Sequence, residues 1–209
     1  IQDSASSATL AAVLTMRERS LAWAGNTQGL SGSKVLRIYV SSESHSSIDK
    51  AIWIAGIGAK NIVRLPASGP MRSSDAGALR SAIKNDLELG FIPAGFIGVT
   101  GATGMGACDD LESLIDVAQS FDLFVHVNAA WAGSAMICEE FRILWRGIEK
   151  ADSIVLNPHK WLGAQFDLSA HFIKNPSDLI KTLAIQPDYL KTHGSDEIVN
   201  YSEWSIPLG

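Results

Sequence analysis

Short apolar runs and longer amphipathic stretches alternate along this chain, and few architectures accept that order. Residues 35–40, 62–65, 95–99, 123–127 and 153–156 are apolar runs of strand length. Residues 5–23, 46–56, 73–89 and 109–120 carry helical spacing. Ser4 or Ser6 is placed to cap the first helix, and Asp109 or Asp110 to put a carboxylate at the start of the fourth. Repeated strand–helix alternation predicts an α/β fold: a mainly parallel sheet with helices on both faces. Ligands in such sheets gather beyond the carboxyl ends of the strands, so the chemistry is expected in the loops that follow these runs. From Asn175 onward the pattern weakens, punctuated by Pro176, Pro187 and Gly194, and reads as loop with short helix. The expected division is 1–174 as the main domain and 175–209 as a mobile loop leading into a following segment.

Composition narrows the function. The 209 residues carry 17 Lys plus Arg against 22 Asp plus Glu, a formal charge of −5. That balance argues against nucleic-acid binding, which needs a basic footprint. Only 19% of residues are charged, below the roughly 25% of an average soluble protein, which points to a large buried fraction. No run approaches the roughly 18 apolar residues of a membrane span. Two cysteines, Cys108 and Cys138, make neither a disulfide framework nor a zinc site. The expectation is a soluble, cytoplasmic protein without a metal. The chain opens at Ile1 with no initiator methionine and stops at Gly209 with no closing helix. Both ends are expected to be cuts in a longer polypeptide.

Two segments are candidate phosphate sites. Ser4-Ala5-Ser6-Ser7 opens a helix, where small residues let backbone N–H groups approach an anion and hydroxyls add donors. Val99-Thr100-Gly101-Ala102-Thr103-Gly104-Met105-Gly106 follows a strand and precedes a helix, like the glycine-rich turn of a dinucleotide site. That second reading implies an NAD(P)-dependent oxidoreductase. It meets three objections. The turn belongs to a late strand rather than the first. Asn128, near the place of a ribose-binding acid, is not an acid. No tyrosine is followed by a lysine four positions later. A tight turn is the preferred reading.

The most informative segment is Asn157-Pro158-His159-Lys160-Trp161, just after a buried run. Desolvation at a strand end lowers a lysine pKa and makes the amine a better nucleophile, able to form a Schiff base with an aldehyde cofactor. Upstream lies His126-Val127-Asn128-Ala129-Ala130-Trp131-Ala132-Gly133. Together these segments resemble the group II pyridoxal-phosphate-dependent decarboxylases, the family of the aromatic-L-amino-acid decarboxylases. The resemblance runs from Ile1-Gln2-Asp3-Ser4-Ala5-Ser6 through Ser44-His45-Ser46-Ser47 to Tyr201-Ser202-Glu203-Trp204.

The resemblance implies a type I aminotransferase-like large domain, incomplete here, with pyridoxal 5'-phosphate as cofactor. It implies decarboxylation of an L-amino acid, aromatic in class, to the amine and carbon dioxide, by a homodimer with its sites at the subunit interface. By the same resemblance, Lys160 holds the cofactor and His45 stacks on its ring. Ser4 and Ala5 bind its phosphate, with Asn157 and His159 nearby. Thr103 lies close to the cofactor, and Ala130 lies against the ring face opposite the histidine. Tyr189, in a loop that closes over the substrate, serves protonation after carbon dioxide leaves.

One position departs from the family. Relatives carry an aspartate where this chain has Asn128, and that carboxylate keeps the pyridine nitrogen protonated, so that the ring remains an effective electron sink. The neutral amide either accepts from a protonated nitrogen or donates to an unprotonated one. A cofactor-binding but catalytically impaired homologue is therefore the alternative to an active decarboxylase. Nothing in the chain selects among tyrosine, tryptophan, phenylalanine and dihydroxyphenylalanine as substrate.

Overall fold

A computed structural model describes residues 1–185 and 201–206 of the chain. Its elements run α1 (Ala5–Ser20), the short α2 (Gly25–Gln28), β1 (Leu36–Ser41), α3 (Ser47–Ile54) and β2 (Ile62–Leu65). A small ribbon of β3 (Ala67–Ser68) and β4 (Ser73–Ser74) follows, then α4 (Ala76–Glu88), β5 (Ile92–Val99), α5 (Leu111–Gln119) and β6 (Phe124–Asn128). A stretch of 3-10 turns leads to β7 (Ser153–Leu156), the one-turn α6 (Pro158–Trp161), β8 (Ala170–Ile173) and α7 (Pro176–Leu183).

Six strands form one sheet in the order β2-β1-β5-β6-β7-β8. The first five are parallel, and β8 alone runs antiparallel, against β7. The chain steps outward from β1 to β2, then returns to the other side of β1 and builds β5, β6 and β7. The order reverses between β1 and β5, which opens a crevice beyond their carboxyl ends.

Side chains alternate across the sheet with the period of two that a strand imposes. Ile38 and Val40 of β1, Ile97 of β5 and Phe124 of β6 join a core under α1 and α3. Tyr39, Phe96, Val125 and Val127 point the other way, into a core with Leu79 and Ile83 of α4 and Leu111, Leu114 and Ile115 of α5. α1 lies close on the sheet. A Cβ added at Gly95 of β5 would sit 2.4 Å from Met16 Sδ, so only glycine admits the helix at that height.

The element boundaries differ from the sequence expectation where local chemistry intervenes. The first helix ends at Ser20 rather than residue 23, because Ala22 and Trp23 take positive φ values of 50° and 65° and turn the chain back. α4 starts at Ala76, not 73, because Ser73 and Ser74 pair with β3. Its cap is Asp75, which accepts from Ala78 N–H. α5 starts at Leu111 with Asp110 as cap. Asp109, the other candidate cap, turns inward instead. β5 begins three residues before the expected run. β8 has no counterpart in the expected strands. In the 175–209 segment, α7 is an ordered helix capped by Asn175, and it packs on α1 with Leu179 buried.

Candidate active site

Loops from the carboxyl ends of β1, β5, β6 and β7 converge with the amino end of α1 on one cavity of about 220 Å³. Its wall contains Ser4, Ala5, His45, Thr103, Asn128, Ala130, Asn157, His159 and Lys160. Every candidate site residue within the described part of the chain therefore lies on one cavity. Tyr189 falls outside the described residues. Ser6, the other candidate cap, also reaches the wall, as do Ser47, Phe166, Asp3 and Asp167, which were not singled out by role from the sequence.

The α1 end presents backbone donors to the cavity. Ser4 Oγ accepts from Ser7 N–H at 3.2 Å, and the first turn holds no acidic residue. Ala5 and Ser6 N–H have no acceptor among the described residues, as the first turn of a helix requires. These donors, with the positive end of the helix dipole, suit a phosphate.

The other wall residues are oriented by their neighbours. His45 Nδ1 accepts from Ser47 N–H at 3.1 Å and lies 2.9 Å from Ser47 Oγ. His159 Nδ1 accepts from Leu168 N–H at 3.0 Å, and its ring stacks on Phe166 at 4.3 Å between centroids. Asn157 is buried, bonded to Ser169 Oγ at 2.7 Å, and its amide lies 3.2 Å from His159 Nε2. Asn128 Oδ1 accepts from Ala130 N–H at 3.1 Å.

Lys160 follows Asn157 on the one-turn α6, which Pro158 starts. It is exposed at the rim rather than enclosed by apolar side chains. Partial desolvation still pushes its ammonium below the ordinary lysine range. No ion pair opposes that shift among the described residues. Next to it, Trp161 meets Trp131 edge to face at 5.2 Å.

Beneath the floor lies a buried polar line. His126 Nδ1 is 2.7 Å from Ser153 Oγ, and its Nε2 is 3.5 Å from Thr9 Oγ1 of α1. The ring of His171 from β8 stands edge-on 6.0 Å away. Burial pushes both histidines down, His171 to about 4.

The glycine-rich turn is closed on itself. Ala102 N–H donates to Ala107 O and Gly106 N–H to Ala102 O, while Cys108 Sγ accepts from Gly101 N–H and donates to Gly106 O. Asp109 pins its base, accepting from Val99 N–H and Ser74 N–H, each at 2.8 Å. Gly101 needs its positive φ of 67°, and a Cβ there would lie 2.3 Å from Ala132 Cβ. The N–H groups of Gly101, Ala102 and Gly106 are spent within the turn, and the helix after it begins with the Asp110 carboxylate, which repels a pyrophosphate. This is a turn between strand and helix, not a dinucleotide cradle.

A strand-end lysine and a serine-capped helix start lining one cavity suit the class of proteins that hold a phosphorylated aldehyde cofactor. The comparisons agree. The model of the pyridoxal-dependent decarboxylase conserved domain matches residues 1–209. The chain is 40% identical over 216 residues to the aromatic-L-amino-acid decarboxylase of Sus scrofa, covering 100% of this chain and 43% of that protein. It is 38% identical over 212 residues to tryptophan decarboxylase 2 of Oryza sativa subsp. japonica, covering 100% of this chain and 42% of that one. The crystal structure of Oryza sativa TDC with PLP and tryptamine superposes with a TM-score of 0.92 at 32% identity, over 100% of this chain and 43% of the other. This chain belongs to the pyridoxal-dependent decarboxylase family, and its sheet is that of the family's large domain. It spans less than half the length of these relatives.

Proposed function

We propose that this chain forms the cofactor-binding centre of a pyridoxal-phosphate-dependent decarboxylase that converts an aromatic L-amino acid to its amine and carbon dioxide. The observation that carries the reading is the convergence of Lys160 and the amino end of α1 on one cavity. Relatives named for aromatic amino acids support the substrate class. When bound, pyridoxal phosphate supplies a conjugated ring that accepts the electron pair left by the departing carboxylate.

The protein's part is positioning. Ala5 and Ser6 N–H, with the Ser4 hydroxyl, hold the phosphate. Lys160, its ammonium destabilised, would hold the aldehyde through its amine. His45, kept in place by Ser47, and Ala130 would hold the ring between them. Thr103, Asn157 and His159 shape the remaining wall, and Asn128 meets the ring edge. Tyr189 gives a proton to the substrate carbon after carbon dioxide leaves. Fixing the bond to be broken and excluding water are the gains such a wall provides.

The whole enzyme works as a homodimer. Exposed Met136, Ile137, Phe141, Ile143, Trp161 and Leu162 provide apolar surface for a covering partner or for a further part of the protein. A cytoplasmic location fits the unpaired Cys108 and Cys138. No helix among the described residues is long and apolar enough to cross a membrane.

Borohydride reduction of the protein mixed with pyridoxal phosphate should label Lys160, and Lys160→Ala should lose the label. Aromatic amino acids should then yield amine and carbon dioxide. Label without product would favour the second reading, a cofactor-binding but impaired homologue, for which Asn128 is the specific observation. A folded protein that takes no label overturns both.

A further inference from the structure

Asn128 ends β6 in register with Val99 and Val155 on the flanking strands, and its side chain lines the cavity. Ala130 N–H donates to its Oδ1 at 3.1 Å. A backbone N–H has only a proton to offer, so the amide atom facing it must be the oxygen. The turn that aims this N–H is itself held, by Ala129 N–H on Val155 O at 2.9 Å and Gly133 N–H on Ala129 O at 2.8 Å. The amide cannot turn over without losing its bond. With Oδ1 turned to Ala130, Nδ2 is the free end of the amide, and it donates but does not accept. No described residue is bonded to it.

Several other polar groups of the wall are bonded within the protein. His45 is tied to Ser47, and Asn157 and His159 to Ser169, Leu168 and each other. Two carboxylates, Asp3 beside the capping Ser4 and Asp167 beside the Phe166 stacked on His159, also line the cavity. With the cofactor's phosphate taken by α1 and its aldehyde by Lys160, its 3-hydroxyl and ring nitrogen remain, and Asn128 stands where the family resemblance puts an aspartate on the nitrogen.

We infer that Asn128 donates a hydrogen bond to the cofactor's pyridine nitrogen and holds that nitrogen unprotonated. The inference rests on the proposed cofactor site. A protonated nitrogen would bring two donors face to face, whereas the lone pair of the neutral ring accepts from Nδ2. The site therefore selects the weaker electron sink. Asn128→Asp keeps the size and the Ala130 bond but turns the second atom into an anionic acceptor, reversing the selection.

The test is to load the full chain with pyridoxal phosphate labelled with nitrogen-15 in the ring and to record its NMR spectrum. The wild-type signal should sit at the downfield position of a free pyridine, and Asn128→Asp should move it upfield to that of a pyridinium. A second measurement needs no variant. The analogue with C–H in place of the ring nitrogen should bind the wild type roughly tenfold more weakly than the natural cofactor, the loss of one good hydrogen bond. A pyridinium signal in the wild type, or equal binding of the analogue, overturns the inference while leaving the cofactor site intact. If no cofactor is retained and Lys160 takes no borohydride label, the proposed site itself falls, and the inference with it.

Discussion

Single residues at this site act by what they exclude as much as by what they touch. Gly101 combines a left-handed φ with a contact that leaves no room for a methyl group against Ala132. Gly101→Ala should cost about 2–4 kcal/mol, from backbone strain plus overpacking, read as a lowered denaturation midpoint. Unchanged stability would mean that the turn yields easily. Asp109 works in the opposite way, by satisfying two backbone N–H groups that its neighbours leave open. Its place beside Asp110 made the pair look like alternative helix caps. Only the three-dimensional path shows that one faces in and the other out. Lys160 and the residues around it were legible because the local motif is contiguous. Ser47 and Ser169 were not, because serine is common and its partner is revealed only by the fold.

Among the elements, α1 carries two duties that depend on each other. Its amino end faces the cavity, and its body rests on β5 through Met16 over Gly95. Gly95→Ala should destabilise the fold by about 1–3 kcal/mol and lift the helix. Adding Met16→Ala should recover part of the loss, since the two side chains then no longer compete for one volume. Strict additivity of the two effects would show that the contact does not set the helix height. Five parallel strands and four long helices were readable from periodicity, since burial on both faces writes continuous apolar runs. β8 was not. Its four residues lie at the sheet edge, half-exposed, and their pairing comes from β7 rather than from their own pattern. The ribbon of β3 and β4 is shorter still, and Ser73 and Ser74 looked like the start of α4.

At the scale of the whole molecule, packing on the sheet keeps two histidines neutral, His126 in the interior and His171 on the edge strand. His126 is fully buried, and burial holds His171 near 4. Above the ordinary histidine value of about 6.5, folded and unfolded chains are both neutral at these sites and stability is indifferent to them. Below it the unfolded chain takes up protons that the folded chain refuses, so stability falls with pH down to about 4, where His171 itself titrates. Denaturation midpoints measured across that window should show the decline, and His171→Asn should flatten part of it. A variant with the same slope as the wild type would remove His171 from the account. The sheet, its helices and the cavity were legible together because all three follow from one alternating pattern. The polar line from Thr9 through His126 to Ser153 was not, because it joins residues 117 and 27 positions apart.

The edge-to-face pair of Trp131 and Trp161 has a use beyond packing. One indole follows Ala130 in the chain and the other follows Lys160, so both are covalent neighbours of the cavity wall. Indoles emit in the near ultraviolet, where a pyridoxal chromophore absorbs. On the proposed reading, a filled site drains their excited state by energy transfer, and the protein's own emission reports how much of it is loaded, without an added dye.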